Sequence, residues 1–507
     1  MHTFASINLI TLGWIAIIAY MIVIIYFVVR GARKISNISD YAVGNIAFSP
    51  IAVGLALAAS MTSAATFIIN PGFIALYGLS AVISYAFVLP AAAMISLVVL
   101  TKGFRKHGSN VKALTMAQWM GTRYKSSGYS MFFGFLSLLL ITFIVLIVVG
   151  LTKILSKTLN VAEIYILVGI IVFIFGYMMY GGANSMVYTN TIQAVLMLIV
   201  AFILLGSGYE HFSNGIHGFL DKLRTIDPNF VKTTNSTSFL FRDYFEIIFA
   251  QIVVGVAIVC QPHIITKSLL LKTDKDINRY LVTGVITEII FFLVVITGLY
   301  ARLAFPDLTV NGLPLKMDGI LSAYVVAEFP VFIGLVVVMG LISAGLSTLE
   351  GLIQSISTTI TADIINPIFG KTLISKSKNP EKLKMFINKI VIAFLAIAAV
   401  TLSYEQLINP KLSVAIFAQN GVYAYFAAAF VPILFGMFIK SVPKIVPIAA
   451  SISAIVVHFT LYYGKISIPF TKSSGENPGV AACVAIITSL IIGGLLLKLN
   501  KEAVNDK

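Results

Sequence analysis

Charge is scarce in this chain. Of its 507 residues only 11% are Asp, Glu, Lys or Arg, whereas 59% are hydrophobic, and the mean hydropathy is +0.98. A soluble domain carries about a quarter charged residues, so that class is excluded. Acidic residues are the scarcer kind, 20 against 35 Lys and Arg, a net charge of +15. In so apolar a chain this excess reads as basic cytoplasmic loops and not as a nucleic-acid surface. Cysteine is nearly absent, and Cys260 and Cys483 both lie in apolar runs, so no disulfide framework is expected. His2, His107, His211, His217, His263 and His458 show no metal-ligand spacing. There is no phosphate-binding Gly-rich loop, hence no ATP drive, and no legible Ser-His-Asp constellation. The chain is not expected to be an enzyme. No low-complexity segment or soluble appendage is visible, and no obligate protein partner is evident.

What is present is a succession of long apolar runs. Only helices and closed barrels satisfy their backbone in lipid, and runs near ~20 residues fit helices that span a bilayer. We expect an all-α polytopic membrane protein with about thirteen spans, forming one domain over residues 1–507. They are Ile7–Val29, Phe48–Tyr77, Leu79–Leu100, Tyr129–Leu155, Ala162–Tyr180, Thr189–Ser207, Tyr244–Leu270, Asn278–Leu303, Phe329–Ile365, Phe386–Ser403, Leu412–Ile439, Ile445–Tyr463 and Gly479–Leu497. The first has basic residues behind it and none before, so it is a retained helix and not a signal peptide. With the N-terminus outside, most of the 35 basic residues fall on the cytoplasmic side, in 30–34, 102–125, 267–279, 371–389, 440–444 and the tail. That places the C-terminus in the cytoplasm. Spans two to six (48–207) and seven to eleven (244–439) form two blocks of five. An odd count per block starts the second from the opposite side, as in the inverted repeats of secondary transporters. Residues 7–29 then form an extra N-terminal helix and 445–497 two C-terminal ones.

Polar groups inside these runs are the functional candidates. The stretch Leu341-Ile-Ser-Ala-Gly-Leu-Ser-Thr-Leu-Glu350 carries hydroxyls and a carboxylate at membrane depth. Ala344, Ser347 and Thr348 share a helix face. Such groups mark an ion path, or they are small residues that let helices pack closely. The second span reads Ser60-Met-Thr-Ser-Ala-Ala-Thr66 and then Pro71-Gly72. Hydroxyls followed by a proline make a poor continuous helix, which gives either a kink or an interruption that exposes carbonyls. Glu288 lies in the eighth span with no motif around it, and a structural role is expected.

These stretches carry a family resemblance. Ser60-x-x-Ser63-x-x-Thr66-Phe67-x-x-x-Pro71-Gly72-x-x-x-x-Tyr77-Gly78 resembles the first core helix of the sodium:solute symporter family. Asp40-Tyr41 with Gly44 looks like its preceding loop. Gly181-Gly182 with Tyr188-Thr-Asn-Thr-Ile-Gln193, and Ala344-Gly-Leu-Ser347-Thr348 with Ser355-x-Ser357 and Asp363, are similar to two later signatures. The likeness runs from about Ile35 to Val431. It implies a leucine-transporter-like fold, a 5+5 inverted repeat with one helix before and two after. It also implies a sodium ion as coupling ion and import of a small organic solute across the cytoplasmic membrane. By motif, the sodium ligands would be the carbonyls of Ala59, Thr62 and Ala344 and the hydroxyls of Ser347 and Thr348.

The chain departs from the family pattern at three places. Asn190 stands where Asp is usual, Met61 where some members have Asp, and Glu350 is additional. Glu350 could add a ligand, take a proton, or pair with a basic residue, so Asn190 and Glu350 are ion-path candidates. Ser63, Thr66 and Gln261 are the candidate substrate contacts. Gln261-Pro262-His263 resembles stretches of the proline and pantothenate members, and Thr273-Asp274-x-Asp276-x-x-Arg279 with Thr225-Ile226-Asp227-Pro228 looks closer to the pantothenate branch. A carboxylate such as pantothenate is the expected solute, with proline or an acetate-like monocarboxylate as alternatives. A transporter-like sensor and a channel remain the rival classes.

Overall fold

The computed structural model describes residues 2–310, 312–409, 413–469, 471–472 and 476–505. Leu412, at the start of one expected span, and Asp506-Lys507 lie outside the described residues. Among the described residues the regular structure is helical, apart from a short hairpin pairing Thr309–Val310 with Leu313–Pro314. Among the described residues, ten helices are long and apolar enough to cross a bilayer, and two bent helix pairs bring the number to twelve. The helix Glu163–Gly206 adds one more. Its 44 residues would extend about 66 Å at 1.5 Å per residue, twice the bilayer core. It does not run straight. Gly182 breaks it at φ 57° and ψ −165°, a conformation close to glycine-only. Tyr177 and Thr189 flank that break, and both donate to the same carboxylate, that of Glu350, at 2.6 and 2.5 Å. On a continuous helix they would stand about 18 Å apart along the axis. The segment is therefore a hairpin of two spans, which makes thirteen among the described residues.

The hairpin turn is fixed from outside. Asn184 accepts from the backbone N–H groups of Asn45 and Ile46 at 3.1 and 3.2 Å, and the Tyr41 hydroxyl donates to the Met178 carbonyl at 2.8 Å. A Cβ on Gly182 would lie 2.8 Å from the Tyr41 ring, so the close approach demands glycine as much as the dihedral does.

The two bent pairs set the position of the site. The first joins Pro50–Met61 to Ala65–Tyr77 at 54°, and the second joins Phe245–Ile258 to Pro262–Leu270 at 57°. The sequence points to Pro71 as the interruption in the first, but the break falls at Thr62–Ala64. The hydroxyl cluster is the cause. The Ser63 side chain accepts from the Ala65 N–H at 3.0 Å, a local bond that competes with the helical ladder. Pro71 instead sits in the first turn of Asn70–Tyr77, after a wide turn over Ala65–Ile69. There its missing N–H costs little. Its carbonyl lies 2.1 Å from where a Cβ on Gly298 would be, so the helix Thr297–Ala304 packs directly on it. In the second pair the break lies just before Pro262, with Gln261 as the extended residue ahead of the new helix.

Candidate sodium and solute sites

The break in the first bent helix faces Val331–Thr359, the helix that carries the hydroxyl stretch. The Ser347 hydroxyl lies 2.6 Å from the Ala59 carbonyl and 3.2 Å from that of Ala344. The Thr348 hydroxyl lies 3.1 Å from the Ser60 carbonyl and 3.3 Å from that of Ala344. All five residues are fully buried. Two hydroxyls and several carbonyls thus converge between the two helices, and no charged atom belongs to the set. This is a donor set that a small hard cation accepts, since it takes oxygen ligands in number. Thr62 caps the first half-helix with extended backbone, so its carbonyl points out of the helical ladder. Its side chain turns away, to a short hydrogen bond with Glu288.

Glu350 does not join this set. Its carboxylate points to the hairpin, where Tyr177 and Thr189 donate to it. Asn190 completes the contact. The amide orientation that satisfies every neighbour has its nitrogen donating to Glu350 and to Gln193, both at 2.9 Å. Its oxygen then accepts from Ser60 at 2.9 Å and from Lys267 at 3.1 Å. The Gln193 amide continues to the Tyr20 hydroxyl at 3.2 Å, which pairs with Ser343 at 3.0 Å. Sequence patterning puts Lys267 at the inner end of the seventh span and counts it with the cytoplasmic basic residues, but it is 2% exposed. The available signal was Pro262, which starts a new helix and carries its register past Lys267 into the bundle. Gln193 closes the Tyr188–Gln193 signature, whereas Tyr20 and Tyr177 had no sequence signal beyond their presence in apolar runs.

Glu288 is fully buried, and Thr62 is its one hydrogen-bond partner among the described residues; its other carboxyl oxygen has none. The three candidate solute contacts come together in a single cavity. Ser63, Thr66 and Gln261 line it, with Met61, Asn70, Tyr85, Phe143, Phe292, Gln419 and Tyr423. The Gln261 amide donates to the Ile258 carbonyl at 3.1 Å, which leaves its oxygen buried without a partner. The lining is apolar and aromatic with a few amides and hydroxyls, and among the described residues it contains no ionised side chain. Both helix breaks open onto it.

A family model described as the sodium:solute symporter family matches residues 41–451. The chain belongs to that family. Membership places it among multi-pass membrane transporters that use sodium as coupling ion, and not among enzymes. Among similar proteins is a sodium/pantothenate symporter of Escherichia coli, 27% identical over 58% of this chain and 61% of the relative. Another is a sodium/pantothenate symporter of Haemophilus influenzae, 26% identical over 71% of this chain and 73% of the relative. The chain thus spans about three fifths of the first symporter and three quarters of the second. Its architecture is similar to that of a substrate-bound, outward-open sodium-coupled sialic acid symporter, with TM-score 0.75 at 18% identity over 96% of this chain and 97% of that one. The leucine-transporter-like fold expected from sequence is therefore the fold of this family member.

Proposed function

We propose that this chain is a sodium-coupled symporter of the cell membrane that imports a small organic carboxylate, pantothenate being the first choice. The observation that carries the reading is the meeting of Ser347 and Thr348 with the Ala59 and Ala344 carbonyls at the helix break. In this reading those four groups, with the Thr62 carbonyl, hold the sodium ion. Neutral oxygens bind a monovalent cation at modest strength, which lets it leave on the far side. Residues 48–207 and 244–439 are the two repeats that move about the site, flanked by 7–29 and 445–497. The N-terminus is outside and the C-terminus cytoplasmic, as the distribution of basic residues favours.

Ser63, Thr66 and Gln261 contact the solute in the adjoining cavity. A carboxylate there finds no arginine, so its charge is met by hydroxyls and by the N-terminal ends of the half-helices that start near Ala65 and Pro262. Pantothenate also has an amide and two hydroxyls, groups that can give a hydrogen to the unpartnered Gln261 oxygen. The two pantothenate symporters among the relatives favour the same solute.

The deciding experiment is uptake into proteoliposomes under an imposed sodium gradient, with labelled pantothenate, proline and acetate in parallel. Accumulation of pantothenate that collapses with the gradient is the expected result. Accumulation of proline or acetate alone would replace the solute. Uptake that ignores sodium would overturn the coupling.

A further inference from the structure

We propose that the Lys267 ammonium is a tethered cation that takes the place of a second coupling ion beside the sodium site, with Glu350 as its counter-charge and Asn190 as the bridge. This rests on the sodium site proposed above and extends it. Lys267 is 2% exposed and Glu350 fully buried, in segments long and apolar enough to cross a bilayer. A lone charge there is costly, and such charges pair. The pairing runs through one amide. The Asn190 oxygen takes the Lys267 ammonium at 3.1 Å, and its nitrogen gives to the Glu350 carboxylate at 2.9 Å. Tyr177 and Thr189 also donate to Glu350, but they are neutral and cannot cancel its charge. Lys267 is the cation of this cluster.

The acceptor of the ammonium is the Asn190 carbonyl oxygen, the kind of neutral oxygen a small cation takes. The Glu350 carboxylate and the Ser60 hydroxyl are other partners of the same amide, and the Thr189 hydroxyl donates to Glu350. An ammonium is a compact, point-like cation on a flexible stem, so it fits where an ion would, yet it cannot dissociate. Ser60 connects the cluster to the sodium ligands. Its hydroxyl lies 2.9 Å from Asn190, and its carbonyl takes the Thr348 hydroxyl at 3.1 Å. Four core elements meet here: the first bent helix, the second half of the hairpin, the second bent helix and Val331–Thr359. They come from both halves of the chain. An Asp at position 190 would give the cluster a second carboxylate, which one lysine could not balance. Asn is the residue that keeps one lysine and one glutamate neutral together.

Removing either charge alone should expose the other to the sodium site, with opposite effects. The test is direct binding of radioactive sodium to the purified full-length protein in detergent, read as ions per protein and dissociation constant. The wild type is expected to bind one ion. K267Q leaves Glu350 uncompensated and should bind a second. K267R should stay at one. E350Q leaves the ammonium uncompensated and should weaken the first site at least tenfold, and K267Q/E350Q should return to one ion at near wild-type affinity. The proposal fails if K267Q binds one ion with affinity within threefold of wild type. If K267Q gives no monodisperse protein, E350Q and the double variant decide, and a double variant as weak as E350Q overturns the proposal. Ser347→Ala/Thr348→Ala in the same assay separates the two readings. Wild-type binding by that variant would refute the sodium site itself, whereas its loss together with an unchanged K267Q refutes only the tethered cation.

Discussion

Ser347 and Thr348 offer the sharpest test of the sodium site, because the same hydroxyls have a small structural effect and a large expected effect on the ion. Ser347→Ala removes a hydroxyl that reaches the Ala59 carbonyl at 2.6 Å, and Thr348→Ala removes one 3.1 Å from the Ser60 carbonyl. Interhelical hydrogen bonds in membrane bundles average about 0.6 kcal/mol, so each variant should fold. As a ligand, each hydroxyl acts on a full charge. Taking the lower bound for a hydrogen bond to a charged group, about 1.5 kcal/mol, each substitution weakens sodium about tenfold. The two sites adjoin, so additivity is imperfect, but the double variant should lose on the order of a hundredfold. The assay is the sodium concentration for half-maximal uptake in proteoliposomes, with a thermal unfolding curve on the same preparation. Thr348→Ser keeps the hydroxyl and should stay close to wild type. A double variant whose sodium dependence moves less than twofold, on a protein that melts normally, would refute the site.

Four other variants test the frame and the cavity. Gly182→Ala should cost about 2–4 kcal/mol, combining a glycine-only dihedral with a Cβ pressed against Tyr41; the readout is a lowered melting temperature. Arg105→Ala should cost about 2–3 kcal/mol, because its guanidinium serves the buried Ser268 and Leu271 carbonyls at 2.6 and 3.0 Å. Asp274→Ala removes only its 81% exposed partner and should cost less than about 1 kcal/mol, so equal destabilisation in thermal melts would contradict this assignment. Gln261→Ala should raise the half-saturating solute concentration about tenfold through loss of one hydrogen bond, about 1.4 kcal/mol, with sodium affinity unchanged; parallel titrations of solute and sodium check it.

Composition and run length by themselves determined the class and the succession of membrane-length helices, because a bilayer forces long uncharged helices and leaves little alternative. The hydroxyl patterns around Ser60 and Ser347 marked the polar segments, since such groups are rare at membrane depth. The tertiary structure decided what those segments do to one another. Hydrophobic periodicity cannot tell a proline that breaks a helix from one that starts its next turn. Only the fold moved the break from Pro71 to Thr62–Ala64. It also turned Glu350 away from Ser347 and toward the hairpin, although both residues lie on one helix close together in sequence. Lys267 is the clearest case. A basic residue beyond a helix break reads as a loop charge, because sequence records distance along the chain and not depth in the bundle. Its burial depends on an asparagine and a glutamate from two other helices, and packing alone brings those three together.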